Sequence, residues 1–344
     1  AESYARILQN AFHRLKLSSE VKAVVIPDDP LTMAKYVTRI KERGAGSLPV
    51  IGVPGHRGDP IPAGILDFMR LLEENGLFYR LFSIDNQSLQ WSGLDQAGIM
   101  IDCAGGQTFH LDLPWPETAR QTVILGLDLG HPRSTRQSWL AATLVSPNGR
   151  LIAACRFAQP RDETIRQQTL ENVFSWINDV LAQKGISPDG FMVLRDGRLF
   201  EREAVDHYRR HLGENITFAD VTKNPVPIMV QGEAAAAPGT ACIMPSGTMA
   251  FLMGSHGIVP DHLPKPVKIH LRHDGLGLGM ERLLRIIAGL CYAPTLGLRP
   301  TRLPAPTYWA DGFAGISETN HQFAGLGHET FSEFRKIEIT SASV

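Results

Sequence analysis

The chain has 344 residues, of which 43% are hydrophobic and 20% are charged, a balance typical of globular rather than disordered or fibrous proteins. Its formal net charge of −1 argues against a surface that is basic all over but allows a local basic channel. Arg, which suits bidentate phosphate contacts, outnumbers Lys.

Neither a membrane anchor nor a disulfide framework is indicated by the sequence. It contains no apolar run long enough to cross a bilayer and no secretory signal pattern. The cysteines lie far apart and form no Cys-x-x-Cys pair. We therefore predict reduced, buried thiols in a cytoplasmic protein. The cysteines are Cys103, Cys155, Cys242 and Cys291.

The first part of the chain alternates helical and strand patterns. The predicted order is helix 3–16, strand 21–27, helix 31–43, strand 47–54, helix 63–75 and strand 77–84. Strands separated by helices of this length are typical of a small parallel sheet. An irregular stretch with two prolines follows, and we place a domain boundary near residue 120.

The second part begins with three consecutive strands. We predict strand 122–130, strand 138–146, strand 150–158, helix 163–185, strand 190–196, helix 200–213 and strand 215–221. Asn148-Gly149 between the second and third strands is a strong hairpin signal. Hairpins, a helix near 280–293 and a closing aromatic helix follow. The order predicts a mixed five-stranded sheet of the ribonuclease-H-like type.

Three aspartates fall where that fold brings metal-binding carboxylates together. Asp128 lies inside the apolar strand "ILGLDLG", Asp196 ends "FMVLRD" before Gly197, and Asp311 lies among the aromatic residues of "TYWADGF". A charge in such surroundings is costly to bury without a partner. Each aspartate alone has an ordinary explanation, as a turn residue or a helix-terminal charge. Together they favour a site for hard cations, which take oxygen ligands.

Four short motifs make this part of the chain resemble the PIWI domain of the Argonaute family. They are "LGLDLGH" (125–131), "VLRDGR" (193–198), "AAPGT" (236–240) and "RLPAPTYWAD" (302–311). The segment before them is similar to a MID domain. The resemblance implies an α/β protein with a Rossmann-like MID domain over residues 1–120. An RNase-H-like PIWI domain would then span residues 121–344.

The resemblance also implies a catalytic tetrad. Asp128, Asp196 and Asp311 match its three aspartates, which would hold two Mg²⁺ or Mn²⁺ ions. The fourth member is a glutamate from the loop after the third strand, and Glu163 in "AQPRDETIRQQ" matches best. Its competitors are Asp162 and Glu171, of which Glu171 is predicted to lie in mid-helix. Alternatively, Glu163 could have no catalytic role and could be an acidic residue at the start of a helix, where the helix dipole favours negative charge.

Members of the family with a full tetrad use a short guide nucleic acid to cut a complementary target strand. Such cleavage would serve defence against foreign nucleic acid. Arginines near the carboxylate motifs are candidates for phosphate contacts. They are Arg133, Arg136, Arg195 and Arg198.

The pocket for the guide's 5′ phosphate departs from the family pattern. Phe68 and Met69 stand where a lysine is expected, and Arg80 falls near the position of a glutamine. Three explanations remain open. The guide could carry a 5′ hydroxyl, Arg80 and a metal ion could replace the lysines, or the segment could be incomplete.

The sequence also allows two other functions. Short members of the family bind a guide without cutting and act through a partner effector protein. Another RNase-H-like enzyme, such as an integrase or resolvase, would share the fold, but "LPAPTYWAD" and "AAPGT" argue against it. The mutual distances of the four carboxylates separate a cutting site from a binding module, because shared metal ligands must converge on one point.

Overall fold

The structure is a computed structural model that describes most of the chain. The described residues are 2–14, 29–43, 49–53, 62–75, 80–83, 111–131, 136–199, 205–223, 229–231, 234–254, 265–293 and 301–314. They fall into two compact units, one before and one after position 110.

The first unit contains helices and a short parallel strand pair, as its sequence pattern predicts. In chain order its elements are α1 (Glu2–Arg14), α2 (Pro30–Glu42), β1 (Val50–Val53), α3 (Ala63–Glu74) and β2 (Arg80–Ser83). Strands β1 and β2 pair in parallel. The strand predicted over 21–27 lies outside the described residues.

Helices α2 and α3 share the core of this unit. The Asp29 carboxylate accepts a 2.8 Å hydrogen bond from the Thr32 amide and so begins α2. Met33 and Val37 of α2 pack in one cluster with Leu72 of α3. The same cluster contains Phe68 and Met69, the residues that stand where the family pattern has a lysine. Their apolar side chains are explained by this core.

The second unit is built on a mixed sheet. Its eight strands are β3 (Val123–Gly130), β4 (Gln137–Val145), β5 (Leu151–Pro160), β6 (Phe191–Asp196), β7 (Ile216–Thr222), β10 (Ala241–Ile243), β11 (Met249–Leu252) and β12 (Val267–Asp274). A separate hairpin is formed by β8 (Val230–Gln231) and β9 (Ala234–Ala235). The helices are α4 (Gln167–Lys184), α5 (Val205–Leu212), α6 (Gly279–Leu290) and α7 (Ala305–Ala314).

The sheet has eight strands, whereas the sequence analysis predicted five. The order across it is β10-β11-β12-β7-β6-β3-β4-β5, so the five predicted strands are neighbours, as expected. Strand β12 then pairs antiparallel with β7, and β11 and β10 continue the sheet. The outer edge of β7 presents unpaired amide and carbonyl groups, and the later hairpin strands satisfy them.

Helix α4 begins four residues later than predicted, which leaves Glu163 in a loop. The Gln159 side chain accepts a hydrogen bond from the Arg166 amide and donates one to the Thr164 carbonyl. The Asp162 carboxylate accepts from the Thr164 amide at 3.2 Å. These bonds close a local turn, which competes with helix formation over the same residues.

The cysteines are only partly as predicted. Cys155 and Cys291 are buried, but Cys242 is exposed, because it lies on β10 at the edge of the sheet. Cys103 lies outside the described residues. Within the described part of the chain, no helix combines the length and apolar character needed to cross a membrane.

Candidate metal centre

Three parallel strands end at the same edge of the sheet. Strand β6 is flanked in parallel by β3 and β7. Leu127 pairs with Arg195, so Asp128 and Asp196 follow at the same level on adjacent strands and project from the same face. Gly197, with a φ of 87°, takes the chain out of β6 directly after Asp196, as the sequence predicts.

Helix α7 crosses this face in close contact with β3. A methyl group on Gly126 would lie 2.3 Å from the Pro306 carbonyl oxygen, and one on Gly130 would lie 2.2 Å from the Ala314 carbonyl oxygen. Thr143 of β4 donates a 2.8 Å hydrogen bond to the same Pro306 oxygen. The two glycines flank Asp128 on its own face of the strand and permit the approach that brings the helix over it.

The three predicted aspartates converge. One carboxylate oxygen each from Asp128, Asp196 and Asp311 lies within 4.8 Å of the other two. Asp196 is only 4% exposed, so its ionised form needs a positively charged partner, because bulk water cannot stabilise a buried carboxylate. A cation bound among the three oxygens would supply positive charge to all three carboxylates. An all-oxygen donor set suits Mg²⁺ or Mn²⁺, so these residues fit a hard divalent cation.

Lys223 enters the same cluster, and the sequence analysis missed it. It follows β7 two residues after Val221, the partner of Asp196 in the sheet. Its Nζ atom lies 2.6 Å from Asp196 Oδ2 as an ion pair and donates a hydrogen bond to Asp311. The sequence did contain a signal for Lys223. Strand β7, which ends just before this lysine, runs parallel to β6, which ends in Asp196, so the two strand ends lie at the same edge of the sheet.

Burial and crowded charge shift the pKa values of these groups. Burial raises the pKa of Asp128 to about 7, and the carboxylates of Asp196 and Asp311 add to this effect. Burial likewise raises the pKa of Asp196 to about 6, against the opposing charge of Lys223. Burial lowers the pKa of Lys223, but Asp196 and Asp128 outweigh it and raise that pKa above its ordinary value. A bound cation would favour the ionised aspartates.

Glu163 does not belong to the group that the three aspartates form among the described residues. Its side chain is 80% exposed, and its Oε2 atom lies 3.4 Å from His131 Nε2. The other nitrogen of His131 is hydrogen-bonded to Ser138 Oγ at 2.7 Å. Ser138 Oγ also accepts a 3.3 Å hydrogen bond from the Asp162 amide. This network ties the loop of Glu163 to the end of β3.

The two competitors of Glu163 make local hydrogen bonds. The Asp162 carboxylate accepts hydrogen bonds from the amide and the hydroxyl of Thr164. Glu171 lies within α4, as predicted, and accepts a 3.1 Å hydrogen bond from the Gln167 side chain.

The arginines named from the sequence occupy different environments. Arg136 and Arg198 are exposed. Arg195 is only 4% exposed, and its guanidinium donates to the backbone oxygen of Asp196. Arg80 begins β2 in the first unit, and Arg133 lies outside the described residues.

Comparisons with known proteins point to one family. A family model described as the Piwi domain matches residues 99–322. The structure is similar to Clostridium butyricum Argonaute bound to a guide DNA and a 19-mer target DNA, with 16% identity, a TM-score of 0.68, and coverage of 97% of this chain and 48% of that one. It is also similar to Drosophila Piwi, with 16% identity, a TM-score of 0.67, and coverage of 96% and 48%.

A third similar structure is Aquifex aeolicus Argonaute, with 17% identity, a TM-score of 0.56, and coverage of 90% of this chain and 46% of that one. The chain spans about half the length of the solved structures it matches. At these identities the likeness shows the fold alone. No curated protein matches the sequence.

Proposed function

Because this chain belongs to the Piwi domain family, whose model matches well over half of its length, we propose that it is a guide-directed endonuclease. The observation that carries the proposal is the convergence of Asp128, Asp196 and Asp311 within 4.8 Å. Three carboxylates from two strands and a helix meet there across large sequence distances. A purely structural role would not require three like charges to share one partly buried place.

The three aspartates would hold the metal, and each does so from a different support. Asp128 is carried by a central strand, Asp196 by the end of its parallel neighbour, and Asp311 by α7, whose Trp309 is buried against the sheet. When bound there, two Mg²⁺ or Mn²⁺ ions would supply positive charge to both the attacking and the leaving oxygen of a phosphodiester. We assign Glu163 to complete the site by turning inward from its loop and orienting the attacking water.

Sequence recognition would come from base pairing between a short guide and its target. The protein then needs to hold only the backbone of the paired strands, which agrees with a net charge of −1. We propose Arg136 and Arg198 as phosphate contacts, since both are exposed and each lies within a few residues of a carboxylate motif. Arg80 and Arg133 remain candidates for the same role, and buried Arg195 is better placed to support Asp196.

The test is cleavage of a labelled target paired with its guide in the presence of Mn²⁺. We expect cutting by the wild-type protein and a loss of roughly 100-fold or more for Asp196→Asn, because the amide removes a charged ligand from the site. Asp179→Asn changes an exposed aspartate of α4 and should cut as the wild type does. Equal cutting by the wild type and Asp196→Asn would overturn the catalytic assignment.

A second candidate function is guide binding without cleavage, in partnership with an effector protein. The observation that favours it is the position of Glu163, which is exposed and pairs with His131. In that case the protein would retain guide and target but give no product at any Mn²⁺ concentration. Sequencing of the nucleic acids that co-purify with the protein would then identify the guide as DNA or RNA and define its 5′ end.

A further inference from the structure

The acidic cluster already contains a positive charge from the protein itself. The ammonium group of Lys223 lies 2.6 Å from Asp196 Oδ2 and donates a hydrogen bond to Asp311 Oδ1. Two of the three carboxylates therefore face this ammonium. Since the three ligand oxygens lie within 4.8 Å of one another, the ammonium occupies space that a shared metal ion would need.

The position of Lys223 allows it to leave without disturbing the sheet. It stands just after the end of β7, and its side chain is 30% exposed while Asp196 beside it is buried. A lysine ammonium is carried on a flexible four-carbon stem. Withdrawal of the side chain toward solvent therefore needs only rotations within Lys223, whereas Asp128 and Asp196 are fixed by their strands.

Charge balance explains why such a residue is useful. Three ionised carboxylates at this spacing repel one another, and the buried one cannot be stabilised by bulk water. A tethered ammonium partly neutralises them whenever no metal is present. It provides one charge where a divalent ion provides two, so it is a weaker partner that is always available.

We propose that Lys223 is a built-in counter-cation that holds the acidic cluster together in the metal-free protein and competes with divalent ions for it. This role of Lys223 rests on the proposed metal site, and it means that the protein itself limits how readily that site binds metal. An ion that binds between Asp196 and Asp311 must displace the ammonium. The affinity of the site for metal is then lower than the carboxylates alone would give.

The main test is a calorimetric titration of the metal-free, nucleic-acid-free protein with Mn²⁺. Lys223→Met keeps the approximate length of the side chain and removes its charge. We expect this variant to bind Mn²⁺ roughly ten-fold more tightly than the wild type, because a unit positive charge beside the metal ligands weakens cation binding by at least that much. Lys223→Arg keeps the charge and should show no such gain. Lys184→Met, at the exposed end of α4, should match the wild type.

The possible outcomes separate this inference from the proposed function. Equal or weaker Mn²⁺ binding by Lys223→Met overturns the competition while leaving the metal site intact. Absence of Mn²⁺ binding in both the wild type and Lys223→Met overturns the metal site and the inference with it.

A second measurement uses the wild-type protein and does not depend on the folding of a variant. In metal-free protein the Lys223 ammonium is held by two carboxylates, so an amine-reactive reagent should label it slowly. Addition of Mn²⁺ should raise the labelling of Lys223 several-fold, as followed by mass spectrometry of its peptide. Lys184 is the internal control and should not change. Labelling of Lys223 that is the same with and without bound Mn²⁺ would refute the displacement.

Discussion

Among single residues, Glu163 is the one that we propose to complete the site. It is exposed beside His131, whereas Asp162 and Glu171 already make local hydrogen bonds. Because the Glu163 side chain is 80% exposed, its 3.4 Å pair with His131 is weak, and the side chain can turn toward substrate at little cost. Exposure and local hydrogen bonding thus distinguish three acidic residues that the sequence pattern alone left in competition.

We therefore predict that Glu163→Gln slows target cleavage by roughly 100-fold, as expected when a proton-accepting group is lost, without weakening guide binding. Asp162→Asn and Glu171→Gln are matched controls, because each amide retains the oxygen that accepts the observed hydrogen bond, and both should cut within about three-fold of the wild type. Single-turnover cleavage with a bound guide measures all three. A larger defect in either control would assign the fourth catalytic position to that residue.

At the scale of elements, the contact between α7 and β3 determines how the site is assembled. Gly126 and Gly130 let the helix backbone approach to a distance that any side chain would prevent. The pattern "LGLDLG" thus has a physical meaning: its central aspartate carries the charge, and its outer glycines admit the helix that carries Asp311. The sequence places these residues in one motif, but the need for two glycines becomes clear only from the crossing helix.

Gly126→Ala should displace α7 and weaken the site. We expect a loss of about 1–3 kcal/mol in unfolding free energy from overpacking, together with weaker Mn²⁺ binding because Asp311 moves away from Asp128. Thermal unfolding and calorimetric titration measure the two effects. Ile177→Val, in the core at α4, should cost about 0.5–1.5 kcal/mol and leave Mn²⁺ affinity unchanged. Unchanged Mn²⁺ affinity in Gly126→Ala would contradict the role given to the close crossing.

The sequence predicted correctly those elements that are specified by local apolar periodicity. It did not predict features that depend on contacts with other segments of the chain. The strands from β3 to β7 and helix α4 follow from apolar patterns that act over a few residues. The extension of the sheet by β12 depends on an open edge of β7, and the late start of α4 depends on hydrogen bonds from Gln159. Neither is visible in the local pattern of the segment it changes.

At the scale of the whole molecule, the site is a product of topology. Asp128, Asp196 and Asp311 could be chosen from the sequence because the element order predicts an RNase-H-like sheet, in which the first strand, the end of the fourth strand and a late helix meet. Lys223 was missed although the same topology brings it there, since β7 is parallel to β6 and ends at that edge. The reason is that metal ligands are carboxylates, whereas Lys223 is the cation that faces them.

The clustered carboxylates should also make the stability of the metal-free protein depend on pH. Burial raises the pKa of Asp128 to about 7 and that of Asp196 to about 6, both above the ordinary value of about 3.9 for an unfolded chain. The folded state therefore binds protons more tightly than the unfolded state does. Stability from these groups is complete below about pH 4 and is lost as the pH rises through 6 and 7.

We predict that the thermal midpoint of metal-free protein falls by several degrees between pH 5 and pH 8, which corresponds to roughly 1–3 kcal/mol for these coupled groups. Asp128→Asn should flatten this slope, because the amide has no proton to lose. Saturating Mn²⁺ should raise the midpoint most at pH 8, where the ionised carboxylates gain most from a cation. Differential scanning calorimetry of the wild type and Asp128→Asn measures both effects. Equal slopes in the two proteins would mean that Asp128 is ionised throughout this range because the charges of Lys223 and Arg195 offset its burial.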